Sequence, residues 1–123
     1  MIGLGAGLLA GVTGGLAWAA APGTYVVYVS ALDCSTCRGW EADHRAAFVQ
    51  GLQRNGIGFR TVVATSYFNV REEGAWPADL KWLLAADPRM KGTPRFYVIS
   101  GGAVQLVANG VEQWRHMVSR MAA

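Results

Sequence analysis

Past an apolar opening stretch, the chain alternates between short β-branched runs and longer segments whose apolar residues recur at helical spacing. Residues 24–31 read TYVVYVSA, apolar on both faces, as a buried parallel strand requires. A helix is predicted over 35–54, with Trp40, His44, Ala47, Phe48 and Leu52 on one stripe and Asn55-Gly56 ending it. FRTVVATS over 59–66 reads as a second strand, and a crossover through one helix makes the two strands parallel and right-handed. Residues 67–77 are irregular, and a short helix is expected over 78–86, stopping at Asp87-Pro88. Residues 95–100 and 104–108 read as strands joined at Gly101-Gly102, a hairpin signal. In a last helix over 111–121, Val111, Trp114, Val118 and Met121 share a face. The predicted order is β-α-β-α-β-β-α, an α/β domain with no internal repeat and no low-complexity linker.

The opening stretch follows a different rule. Residues 1–32 carry no charged side chain, and residues 1–21 are apolar, Gly or Thr throughout. Such a segment does not belong to a soluble core, and as a helix rising about 1.5 Å per residue it just crosses a bilayer of roughly 30 Å. Ala17-Trp18-Ala19, followed by Ala20, Ala21 and Pro22, supplies the small-x-small pattern that a signal peptidase reads. No Lys or Arg precedes the run, which weakens that reading. Gly3, Gly7, Gly11 and Gly15 line one helix face, where a second membrane helix can approach closely. The expectation is a signal peptide or membrane anchor over 1–22 and a folded domain over 23–123. The domain is then periplasmic or secreted, or anchored on the extracytoplasmic side, in either case in an oxidising compartment.

Of the 123 residues, 52% are hydrophobic, enough for a single domain with its own core. The net charge of +3 comes from basic residues scattered singly among acids, so there is no stripe for nucleic acid. Composition changes the picture mainly through cysteine. Cys34 and Cys37 are the only two, and a bridge between residues so close removes little entropy from the unfolded chain. A Cys-x-x-Cys beside a βαβ pattern reads instead as a redox motif or half of a metal site. His44 lies about 10 Å further along the helix than Cys37, too far for one ion to bridge easily, so no metal is assigned. Arg38 after Cys37 excludes a CxxCH haem attachment. No cofactor is implied. Trp40, Trp76, Trp82 and Trp114 read as core rather than as a ligand platform.

Two motifs lie where one family keeps its chemistry. Cys34-Ser35-Thr36-Cys37 falls at the end of the first strand and the start of the first helix, and Gly92-Thr93-Pro94 directly precedes the third strand and RFYVISGG. With the element order, they resemble the thioredoxin-like superfamily over about residues 24–123, and Thr before the proline is more like its exported disulfide oxidoreductases. The resemblance implies a cis Pro94 lying against the cysteine pair and a Thr93 backbone left free to bond an extended substrate segment. Three positions depart from the thioredoxin pattern. Asp33 stands where Trp is usual, Tyr28 where an assisting buried acid is usual, and Ser-Thr replaces Gly-Pro between the cysteines.

Thiolate, not thiol, is the attacking form, so the site has to lower the pKa of one cysteine. Cys34 lies at the helix N-terminal end, where unpaired N–H groups favour an anion, and Cys37 lies one turn deeper. Cys34 is therefore the expected attacker and Cys37 the resolver. Asp33 opposes a second negative charge, and Arg38 and Arg95 are candidates to offset it. The leading reading is a thiol-disulfide oxidoreductase acting on cysteine-containing exported or membrane-associated proteins, together with a redox partner protein. Two alternatives stand beside it: a non-catalytic scaffold subunit of a membrane assembly, and a CxxC carrier of soft Cu(I).

Overall fold

The computed structural model describes residues 23–122, so the segment over 1–22, with its predicted signal or anchor helix, lies outside the described residues. Strand β1 (Tyr25–Ala31) runs into α1 (Ser35–Trp40), which continues without a break through a π-helical turn (Glu41–Arg45) into α2 (Ala46–Arg54). Strand β2 (Gly58–Ala64) follows, then 3-10 turns at Glu73–Ala75 and Ala78–Leu80 and a short helix α3 (Trp82–Ala86). The hairpin of β3 (Arg95–Ser100) and β4 (Ala103–Asn109) leads into α4 (Gly110–Met121).

The four strands are ordered β2-β1-β3-β4. β1 and β2 are parallel, with Ala31 opposite Ala64. β3 runs antiparallel to β1 and to β4. Because side chains alternate across a strand, β1 sends Val26 and Tyr28 to one face and Val27 and Val29 to the other, and each face has its own core. Tyr28, Phe96, Trp40, Trp114 and Met121 fill the first, beneath α1, α2 and α4. Val62, Trp76, Leu83, Met90 and Tyr97 fill the second, beneath α3 and its flanking turns. The sheet is thus buried on both sides, which explains why β1 reads as an unbroken apolar run.

The predicted order of elements holds, and the differences are local. The helix over 35–54 is not uniformly α-helical: the π-helical turn shifts the phase of everything after it. Ala47, expected on the buried stripe, is exposed, whereas Phe48 and Leu52, expected there too, turn inward, and Phe48 meets Trp40 edge-on with ring centroids 6.1 Å apart. The helix expected over 78–86 begins as a 3-10 turn and becomes α-helical only at Trp82. Trp76 is buried, and its indole N–H donates to the Val70 carbonyl at 2.8 Å.

Candidate active site

β1 is the central parallel strand, and the chain leaves its C-terminal end through Leu32 and Asp33 to enter α1. Cys34 is the helix N-cap, in extended conformation (φ −100°, ψ 98°), and its Sγ accepts a hydrogen bond from the Cys37 N–H at 3.1 Å. The same backbone donor that bonds a neutral sulfur would bond a thiolate more strongly. Cys34 and Cys37 are joined as a disulfide, with Cα atoms 5.2 Å apart. Cys37 is fully buried and Cys34 retains 6% of its surface, so approach from solvent is possible only at Cys34.

The loop before β3 closes the other side. The Thr93–Pro94 peptide bond is cis, and the Pro94 carbonyl accepts from the Gly110 N–H at 2.8 Å, tying this loop to the start of α4. Gly92 has φ +83°, a conformation that glycine adopts without strain. Thr93, Gly92 and Tyr67 line a recess of about 360 Å³ opposite Asp33, Cys34 and Ser35. Three of the four expected site residues are placed around one centre in this way: Cys34 and Thr93 line the recess, and Cys37 lies beneath as the buried bonding partner. Pro94 is buried and is not among the residues that line the recess. The Thr93 hydroxyl oxygen is buried without a partner among the described residues.

The charges near the pair are arranged differently from the expectation. Neither Arg38 nor Arg95 pairs with Asp33. Asp33 accepts instead from the Tyr67 N–H at 2.8 Å and the Ser66 hydroxyl at 2.9 Å. The Tyr67 N–H first and the Ser66 hydroxyl after it hold its carboxyl below the usual carboxylate range. Arg95 belongs to the far face of the sheet, where it donates to Asp87 at 2.6 Å and to the Tyr97 hydroxyl at 2.8 Å. Arg38 donates to both carboxylate oxygens of Glu41, each at 3.0 Å, and to the Ser30 hydroxyl at 2.6 Å. The two charges that flank the CxxC are therefore each committed to a partner of their own.

A network not visible in the motif pattern lies beneath the pair. Tyr28 stands on β1 where a carboxylate was expected to be missing, and its hydroxyl donates to Glu41 at 2.7 Å. The carboxylate in contact with Tyr28 comes from the helix and lies beyond the far end of the phenol ring. Burial pushes the Tyr28 hydroxyl up to about 12, with the Glu41 carboxylate adding to the rise. Burial opposes ionisation of Glu41, but hydrogen bonds from Tyr28 and Arg38 outweigh it and hold the carboxyl below its ordinary value. The signal was present in the spacing: Glu41 follows Cys37 by one helical turn and Arg38 by three residues, both same-face separations. The clip from Asp33 to Ser66 had no such local signal.

His44 packs against Trp114, ring centroids 4.9 Å apart. Among the described residues no group of three or more His, Cys, Asp or Glu side chains gathers as for a metal.

No family model matches this chain, and no curated protein matches it. Its structure is similar to thioredoxin of Fasciola hepatica, at 19% identity and a TM-score of 0.51, over 80% of this chain and 80% of that one. It is also similar to the short form of thioredoxin f from spinach chloroplast, at 12% identity and a TM-score of 0.52, over 80% of this chain and 74% of that one. With a CxxC disulfide at the end of β1, a cis-proline loop facing it and the β2-β1-β3-β4 sheet between two helical layers, residues 23–122 have the thioredoxin-like fold.

Proposed function

We propose that this protein is a thiol-disulfide oxidoreductase that exchanges disulfides with cysteine-containing proteins through Cys34 and Cys37. One observation carries the reading: a disulfide too short to stabilise the fold appreciably caps the helix at the floor of an open recess. A structural bridge has no need of that position.

In the oxidised state found here, a client thiolate attacks Cys34 Sγ. The S–S bond breaks, Cys37 leaves as a thiolate, and client and protein are joined by a mixed disulfide. A second client thiolate then attacks the client's own sulfur in that bond and expels the Cys34 thiolate. Two electrons and two protons have moved from the client dithiol to the cysteine pair. Read in reverse, the same steps reduce a client disulfide, with Cys34 as attacker and Cys37 as resolver. The redox partner that resets the pair is a second dithiol or disulfide protein. The recess leaves the Thr93 backbone beside Cys34, where an extended client segment can bond it.

The clients are, on this reading, exported or membrane-associated proteins. Support comes from residues 1–22, which carry no charge and precede the domain as an export or anchor segment does. Among the described residues no helix is long and apolar enough to cross a membrane. Fractionation with N-terminal sequencing of the recovered protein tests this part; a freely soluble cytosolic product with an intact N-terminus refutes it.

The activity itself is tested with single-cysteine variants. Cys37→Ser should accumulate mixed disulfides with client proteins, because the resolving thiol is gone, whereas Cys34→Ser should trap none. Equal trapping by the two variants, or by neither, removes the assignment.

A further inference from the structure

Asp33, the residue before Cys34, connects the redox pair to the loop after β2. Its carboxylate holds the Tyr67 N–H and the Ser66 hydroxyl, and the Ser66 oxygen in turn accepts from the Phe68 N–H at 3.2 Å. The loop backbone is therefore fixed beside the cysteines. It presents two aromatic rings in contact, with centroids 4.2 Å apart. Phe68 is 84% exposed, more than any other large apolar side chain among the described residues. A fixed, exposed aromatic pair beside a reactive disulfide is placed to be covered by something else.

The space it borders has a defined direction. The recess at Cys34 adjoins a second one of about 420 Å³, and Tyr67 and Gly92 line both. Cys34 borders the first recess, Val70 and Met90 border the second, and Tyr67 and Gly92 form the wall between them, so that the two make a groove beside the disulfide. Arg71 also borders it, but its guanidinium is committed to the carbonyls of Asp87 at 2.8 Å and Leu84 at 2.6 Å. Lys91 stands at the exposed rim. With the Arg71 guanidinium already bonded and Tyr67, Phe68, Val70 and Met90 along its wall, the groove is suited to an apolar side chain.

We propose that Tyr67 and Phe68 determine which cysteines this protein acts on. They grip an apolar or aromatic side chain lying within a few residues of the reacting cysteine in an extended client segment. The inference rests on the redox reading of Cys34 and Cys37. Asp33 acts as a positioning residue that holds this lip against the site.

The test mixes the oxidised full-length protein with two synthetic dithiol peptides, identical except for Phe or Ser two residues from the first cysteine. Dithiothreitol serves as a probe with no side chain for the groove. Second-order rate constants for reduction of the Cys34–Cys37 disulfide are read from peptide oxidation. The Phe peptide should react about tenfold faster than the Ser peptide, the discrimination one partly buried apolar side chain supplies. In Phe68→Ala that ratio should fall to about one, and in Phe68→Leu most of it should return. Because Phe68 lies at the surface, neither variant threatens folding. A ratio near one in the unaltered protein, or one that persists in Phe68→Ala, overturns the inference. Exchange with dithiothreitol but with neither peptide overturns the inference and leaves the redox pair standing. Exchange with none of the three overturns both.

Discussion

Asp33 and Ser66 are joined by a 2.9 Å hydrogen bond across thirty-three residues of sequence, the same offset that sets Ala31 opposite Ala64 in the parallel pairing of β1 with β2. The two strands end at one level, and their exit loops remain side by side for two further residues. The contact that brings the aromatic loop to the disulfide is thus an extension of strand register beyond the sheet. It also commits a negative charge next to Cys34, which has chemical consequences.

Replacing Asp33 with Asn removes that charge while keeping an oxygen for the Tyr67 N–H. A neighbouring carboxylate disfavours a thiolate, so the Cys34 thiol of the reduced protein should ionise at lower pH, by roughly half a unit at a solvent-screened site. The reduced form is then stabilised and the pair becomes more oxidising. Alkylation rate against pH, with a glutathione redox titration, measures both. An unchanged alkylation profile would show that Asp33 is electrically remote from Cys34.

Glu41→Gln should have the same sign for a different reason. Glu41 neutralises Arg38, which follows Cys37 directly, and loss of the carboxylate leaves an unpaired guanidinium beside the pair. Thiol ionisation should again move to lower pH, by a few tenths of a unit given the exposure of Arg38. Stability should fall by about 1–2 kcal/mol, because the buried Tyr28 hydroxyl keeps only an amide acceptor. Chemical denaturation at neutral pH reads this loss.

Tyr28 gives the protein an alkaline limit of its own. Its hydroxyl pKa is raised from 10.0 to about 12 in the fold, so the contribution is fully present below 10.0 and is lost as pH rises from there through about 12. Tyr28→Phe should cost about 1 kcal/mol at neutral pH and flatten that part of the stability profile. Denaturant midpoints measured from pH 8 to 11 follow the change; identical slopes for the two proteins would contradict it.

The acid side is governed partly by Asp87. Burial opposes its ionisation, but the Arg95 guanidinium at 2.6 Å and the Tyr97 hydroxyl at 2.7 Å hold its carboxyl below the ordinary value of 3.8. A depressed carboxyl contributes stability that is complete above 3.8 and disappears as pH falls through the lower folded value. Asp87→Asn should lose about 2 kcal/mol at pH 7, because Arg95 stays largely buried without its charge partner. The difference between the two proteins should narrow as denaturation is followed from pH 5 down to 2.

The strands, the order of elements and the two cysteines were legible in the sequence because each has a local cause: β-branched runs, glycine turns, and a motif at a strand-to-helix junction. Interactions between distant segments were not. Arg95, a candidate to offset the charge of Asp33 at the cysteine pair, does not do so because strand alternation sends it to the other face with Asp87. Ser66 and Tyr67 reach Asp33 only once strand register is known. The Glu41 network lay between these cases, since its helical spacing was visible but its strand partner Tyr28 was read as the loss of an acid. Ala47 was misplaced for a third reason, because an ideal helical period does not foresee a wider turn.

That wider turn, Glu41–Arg45, divides one helix into two halves with independent duties. A π turn holds one residue more than the α-helical turn it replaces, and in a regular helix one residue is worth about 100° of rotation. The half that bears Cys34 and Cys37 is thereby indexed to β1 through Arg38 and Glu41, while the half that bears Phe48 and Leu52 is indexed to Trp114 and the first core. Deleting a single residue between 41 and 45 would restore an ideal helix and place the two indexings in conflict. An alignment of this helix with an unbroken one needs a one-residue gap at its middle.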